Sequence, residues 1–241
     1  MTAAEDLGPI DSRTWPSSLE AHAVSSAPSL CLFGYDVERD LAPFYRFSDL
    51  LFLSLVGELP DDARSRAFEI ALCFALPVSI AHAGVHAPAL ARLCGARPSG
   101  VLSVGSLLLG EQASALVAST NDALEEAETT GAPLPAALCA HDEAERASVA
   151  ALAGLLRDVL DVPMLRADPS RDTALFAVFR ACGITTAFKL ASLLAMARLP
   201  SAVAEASRIQ PGEFAKYPID TPHFEYVAPT VSVAREAEPR T

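Results

Sequence analysis

Phe47-Ser48-Asp49-Leu50-Leu51-Phe52-Leu53-Ser54-Leu55-Val56-Gly57-Glu58-Leu59-Pro60 reads as one complete helix together with both of its ends. Ser48 can accept first-turn N–H bonds, Asp49 faces the positive end of the helix, and an apolar run follows at once. Gly57 supplies a left-handed terminal residue and Pro60 prevents continuation. Helices apolar on nearly every face are stable in water only when other helices surround them. The stretch predicts a nearly fully buried helix, Ser48 to Val56, central to a helical domain of some size.

The rest of the chain agrees with that reading. Hydrophobic residues make up 51% of 241, and they fall in Ala-Leu-rich helical segments with few alternating β-branched or aromatic runs, so the fold class is all-α. The length suffices for a substantial core. A net charge of −12 without any basic cluster argues against nucleic acid or an anionic membrane surface as partner. An anionic small molecule would have to be met by locally placed arginines. Cys31, Cys73, Cys94, Cys139 and Cys182 lie singly, without zinc or redox spacing, and read as reduced core residues. No apolar run is read as a membrane span and the N-terminus lacks the order of a secretion signal, which predicts a cytoplasmic protein.

Residues 1–33, with Pro9, Pro16 and Pro28, read as an extended N-terminal arm. Asp61-Asp62 cap a helix that ends before Pro77, and a further helix starts near Pro88 and runs to Gly95. Val101 to Gly110 predicts a buried helix in which Ser103, Gly105 and Ser106 allow a neighbour to approach. The acidic, then Gly/Pro-punctuated segment Asn121 to Pro135 reads as a loop and a domain border. Beyond it come a helix from His141 to Leu160, with Asp142, Glu143, Glu145 and Arg146 outward, then an apolar helix ending near Cys182-Gly183. A last helix runs from Thr185 or Thr186 to Arg198, before Pro200. The expected division is a large helical domain, 34–125 and 185–233, with a small one at 126–184. Residues 234–241 are expected to be disordered.

The pattern Gly34-Tyr35-Asp36, Asp40-Leu41, Phe47-Ser48 and Gly57-Glu58-Leu59-Pro60, with Phe224-Glu225-Tyr226-Val227-Ala228-Pro229 near the end, resembles the citrate synthase and citryl-CoA lyase superfamily. The resemblance implies that fold, a homodimer with Trp15 a candidate anchor, no bound cofactor, and a small carboxylate or a coenzyme A thioester as ligand. The family activates its substrates with histidines in H-G-G and G-x-G-H motifs and abstracts a proton with an aspartate, since enol formation needs a base and donors aimed at the developing oxyanion.

Here the first motif should follow Gly110, where Glu111-Gln112-Ala113 stands, and the second is replaced by Gly131-Ala132-Pro133-Leu134-Pro135. The resemblance assigns the base to Asp172, with 183 − 172 = 11 residues to Gly183, in preference to Asp168. The alternative reading of Asp172 is an aspartate at a helix N-cap that satisfies backbone donors and does no more. Ala195-Met196-Ala197-Arg198 resembles the segment whose arginine pairs with a substrate carboxylate, and His86 falls at a substrate-side position. Arg198 also suits the negative end of its helix. His82 and His86 lack a third ligand at metal spacing, and no phosphate-binding glycine loop is present. Two readings follow: an enzyme forming or cleaving a carbon–carbon bond with an acyl-CoA and a carboxylate, without ordinary citrate synthase activity, or a non-catalytic paralogue that binds a ligand or pairs with an active relative.

Overall fold

Ser48 does not cap the opening helix. The first helix, α1 (Phe47–Val56), starts one residue earlier, and the buried Asp49 does the capping: its Oδ2 accepts the Arg46 N–H at 2.9 Å while its Oδ1 takes the Ser65 hydroxyl at 2.5 Å. Gly57 is left-handed, φ +94°, and closes α1 as expected. Burial corrects the expectation: only Asp49, Phe52 and Leu53 of α1 are buried, Ser54 is exposed, and Phe47 is 82% exposed. An apolar composition alone does not surround a helix.

The structure, a computed structural model, describes residues 21–24, 30–212 and Glu225. Trp15, most of the N-terminal arm and nearly all of the segment after Gly212 lie outside them. Seven α-helices are described, with one sheet of three two-residue strands, β1 (Ala23–Val24), β2 (Cys31–Leu32) and β3 (Tyr35–Asp36), antiparallel in that order. The fold class is all-α. Phe33 and Gly34, both at positive φ, make the two-residue hairpin turn between β2 and β3. Asp36 then accepts the N–H groups of Glu38 and Arg39, starting the helical turn that buries Leu41.

The chain divides into two compact units, Met1–Phe68 and Glu69–Thr241. In the first, Phe52 meets Phe68 edge to face at 5.4 Å. Asp61 caps α2 (Asp62–Ala75) as expected, and the Arg64 N–H, followed by the Arg64 side chain, holds its carboxyl below the ordinary range.

The second unit is built on three helices: α3 (Ala83–Leu93), α4 (Pro98–Thr130) and α7 (Ala187–Arg208). Val85, Leu109 and Ala202 form their shared core, flanked by Val78, Ile80, Ala195 and Leu199. Gly105 lets them close up: a methyl there would lie 3.2 Å from Pro88 and 3.4 Å from Leu199. Ser103 and Ser106 take no part, being exposed. Two prolines read as boundaries are interior. Pro88 is buried in α3, and α7 runs through Pro200 because Ala202 and Ala206 beyond it are buried, a gain that outweighs one lost backbone bond.

Helix α4 also overrides the expected loop at Asn121 to Pro135. Thr120, Leu124 and Ala127 continue its buried stripe, the acidic residues line the outer face, and Gly131 ends it at φ +72°. The remaining helices are α5 (Glu143–Leu156), capped by Asp142 with Val149, Leu152 and Leu156 inward, and α6 (Arg171–Ala181). In α6 every residue from Thr173 to Phe179 is buried, and Arg180 ties it to α4 through Glu128 and Asn121.

Two sequence expectations are corrected. Of the five cysteines, all free, only Cys182 is buried, while Cys73 and Cys94 face outward from their helices. Helices α4 and α7 are each long and apolar enough, by length and composition, to cross a membrane, although they pack against one another through the core just described.

Candidate functional site

The starts of α5 and α6 are held together by one carboxylate. Glu145 accepts the His141 N–H through Oε2 at 2.9 Å and the Arg171 N–H through Oε1 at 2.8 Å, one at each helix entrance. The segments leading in are also joined, Ala140 N–H to the Asp168 carbonyl at 2.9 Å and Ser170 N–H to the Leu138 carbonyl at 2.7 Å. The Ser170 hydroxyl, not Asp172, caps α6 by accepting the Thr173 N–H. That leaves the Asp172 carboxylate, in the first turn, free for another partner.

Its partner is Arg198. The Nη2 of Arg198 donates to Asp172 Oδ1, across the 26 residues that separate them. Arg198 is 9% exposed, and its Nε has no partner. Arg171 donates through Nη2 to the Phe74 carbonyl. One turn further along α7, the Ser201 hydroxyl donates to the Leu76 carbonyl at 2.5 Å and accepts the Val78 N–H at 3.3 Å, fixing the loop after α2.

One cavity of about 630 Å³ is lined by Arg171, Asp172 and Arg198, by Glu145, and by His82 and Gln112. His82 is the N-cap residue of α3, in extended conformation, and its Nδ1 is buried without a partner. Burial and then the Arg198 charge push its pKa below the ordinary value, with Asp172 opposing, so the imidazole is neutral at pH 7. Gln112 Oε1 is likewise buried and unpaired. Each such atom costs about 1–3 kcal/mol unless something pairs it.

Of the residues singled out from sequence, the structure brings Asp172 and Arg198 together. His86 lies one turn into α3, half-buried, and is not among the residues lining the cavity. The reason is that α3 starts at Ala83, so that His82 leaves the chain from an extended residue while His86 is carried round on the helix. Asp168 pairs instead with Arg146 at 3.1 Å. Sequence reasoning missed Glu145, read as a solvated charge, along with Arg171, His82 and Gln112. One signal was available, because Gln112 lies within the segment Glu111-Gln112-Ala113 that stands in place of the absent H-G-G motif.

No protein-family model matches the chain, and no curated protein does. Solved structures do. Citryl-CoA lyase from Hydrogenobacter thermophilus superposes with a TM-score of 0.59 at 20% identity, over 95% of this chain and 97% of that one. A mutant of the Methanosaeta concilii ATP citrate lyase, solved in complex with (3S)-citryl-CoA, gives 0.58 at 13% identity, over 96% of this chain but 45% of that one. Identities this low speak for the backbone alone, and on that footing the chain has the citrate-synthase and citryl-CoA lyase-like fold.

Proposed function

We propose that the cavity between α3, α4, α6 and α7 binds a small carboxylate, and that the protein is a citryl-CoA lyase-like enzyme forming or cleaving a carbon–carbon bond with an acyl-CoA, without ordinary citrate synthase activity. The observation that carries this is the meeting of Asp172 and Arg198 at one cavity. Arg198 holds Asp172 through Nη2 and keeps Nε–H for an incoming carboxylate, so one planar guanidinium positions both. Asp172 is the base of this proposal, taking the proton next to a thioester carbonyl. Arg171 adds a second positive charge at the same wall.

The second reading, a non-catalytic paralogue, is favoured by two features: the Asp172 carboxylate is already engaged by Arg198, and two family histidines are missing. Each lost donor or base costs on the order of a hundredfold to a thousandfold in rate. Calorimetric titration with citrate, oxaloacetate, acetyl-CoA and coenzyme A, followed by turnover assays, separates the cases. Carboxylate binding with no condensation of acetyl-CoA and oxaloacetate is the expected result. Binding with no turnover of any citryl or acyl thioester favours the paralogue, and vigorous thiol release from acetyl-CoA plus oxaloacetate overturns the proposal.

The proposal includes a cytoplasmic homodimer and the division into a large domain, 34–125 and 185–233, and a small one, 126–184. The face offered for pairing is apolar and made of small residues, a groove of Gly110, Ser114, Ala118 and Ala191 beside Phe188, which is 82% exposed.

A further inference from the structure

The stretch Phe224-Glu225-Tyr226-Val227-Ala228-Pro229 has no part in the cavity described above, yet Glu225 is within the described residues. It lines a second cavity, about 900 Å³, together with loop 76–81 and the end of α7 from Pro200 to Arg208. All of these belong to the unit Glu69–Thr241. Most of the other lining residues are apolar and open to water: Leu76 is 42% exposed, Pro77, Pro200 and Ala204 are exposed, and Ile80 is half-buried. An apolar groove of this size marks a place where another surface sits.

We propose that the groove is the seat of the chain's own segment Tyr226-Val227-Ala228-Pro229, which packs Tyr226 and Val227 against loop 76–81 and the last turns of α7. Position carries the argument. Consecutive Cα atoms are about 3.8 Å apart, so with Glu225 on the wall the Cα atoms of Tyr226 and Val227 lie within about 8 Å of its own. A segment tethered so closely meets the groove at an effective concentration of about millimolar or above, and a modest affinity is enough to keep it seated.

The side chains suit such a surface. Tyrosine brings a large apolar ring whose hydroxyl can stay in water, and valine a stiff, branched one that loses little freedom when packed. Arg208 is on the lining too and offers Glu225 an opposite charge, with Glu205 the other carboxylate there. The seating also bears on the first cavity without depending on what that cavity binds. Pro77, Val78 and Ser79 line both spaces, and the printed bonds that tie their loop to α7 are those of the Ser201 hydroxyl. A segment packed on this loop restrains it beside His82.

The test places the photoreactive residue p-benzoylphenylalanine at position 226 of the full chain, irradiates it, and maps the products on a denaturing gel and by peptide mass. Cross-links to residues 76–81 or 200–208, in a product of single-chain mass, 25.3 kDa, are expected. Cross-links of doubled mass mean that a second copy takes the segment and overturn the proposal, as do cross-links elsewhere in the chain or none at all. In the otherwise unaltered chain, Val227→Asp should speed hydrogen exchange at the Val78 and His82 amides, both hydrogen-bonded, by at least about tenfold, the scale of one buried valine lost. Val233→Asp, outside the segment, should leave those amides unchanged. Unchanged exchange in Val227→Asp, or an equal effect of the two variants, overturns the seating. Circular dichroism checks that both fold, and the cross-link decides by itself should Val227→Asp not fold.

Discussion

The two walls of the cavity are built on opposite principles. On the side of α5, α6 and α7 each charged side chain has a partner, although Arg198 keeps its Nε free: Asp172 with Arg198, Arg171 with the Phe74 carbonyl, Glu145 with two helix entrances. On the α3 and α4 side, His82 and Gln112 each leave a buried atom unpaired. The paired wall serves the fold and positions the ligand's charge at the same time. The unpaired wall weakens the fold slightly and has its free energy to gain only when something binds, a common division between stability and function.

Breaking the paired wall should have the largest effect. Arg198→Ala is expected to weaken a demonstrated carboxylate ligand by roughly 1.5–3 kcal/mol, the scale of a charge-assisted hydrogen bond. The same substitution should also cost stability, because Asp172 would be left partly buried without its partner, and a lowered urea midpoint should accompany the lost affinity. Retained affinity in the variant would remove Arg198 from the site.

The approach of α3 to α4 can be challenged next. Gly84→Ala puts a methyl 2.6 Å and 2.8 Å from two carbons of the fully buried Leu109, and should cost about 1–3 kcal/mol of stability by overpacking. An unchanged denaturation curve would mean the helices are not so close. The opposite sign is expected on the unpaired wall itself: Gln112→Met removes an orphaned acceptor, so the ligand-free protein should be as stable as wild type or up to about 1 kcal/mol more so. A clear loss of stability there would show that Gln112 holds the fold together.

The smallest effect is electrostatic. His82 should titrate by NMR with a midpoint below the ordinary 6.5, with Arg198→Ala moving it up and Asp172→Asn moving it down. The sign for folding follows from the native preference for the neutral ring. The unfolded chain binds the proton more readily, so the His82 contribution to stability is present at neutral pH and is lost as pH falls through 6.5 toward the lower native value. A midpoint at or above 6.5 would contradict the burial of this ring.

Much of the helical framework was legible because its signals are local. Gly57 sits at a helix end where a left-handed residue fits, Asp61 caps the helix that follows it, and Asp172 with Arg198 could be chosen by a resemblance in spacing. What the sequence could not decide is which faces meet. Pro88 and Pro200 looked like stops because a proline removes one backbone bond locally, whereas the burial that carries α3 and α7 through them comes from other helices. The acidic end of α4 looked like a loop until Leu124 and Ala127 were seen facing inward, and α1, apolar almost throughout, turned out half exposed. His82, Gln112 and Glu145 carry no motif of their own. They lie 30 and 33 residues apart in the chain, and only the packing of α3 on α4 and of α5 against α6 brings them to one cavity. Periodicity and caps are written residue by residue, but a site made of orphaned polar atoms exists only once the helices bearing them have packed and excluded water.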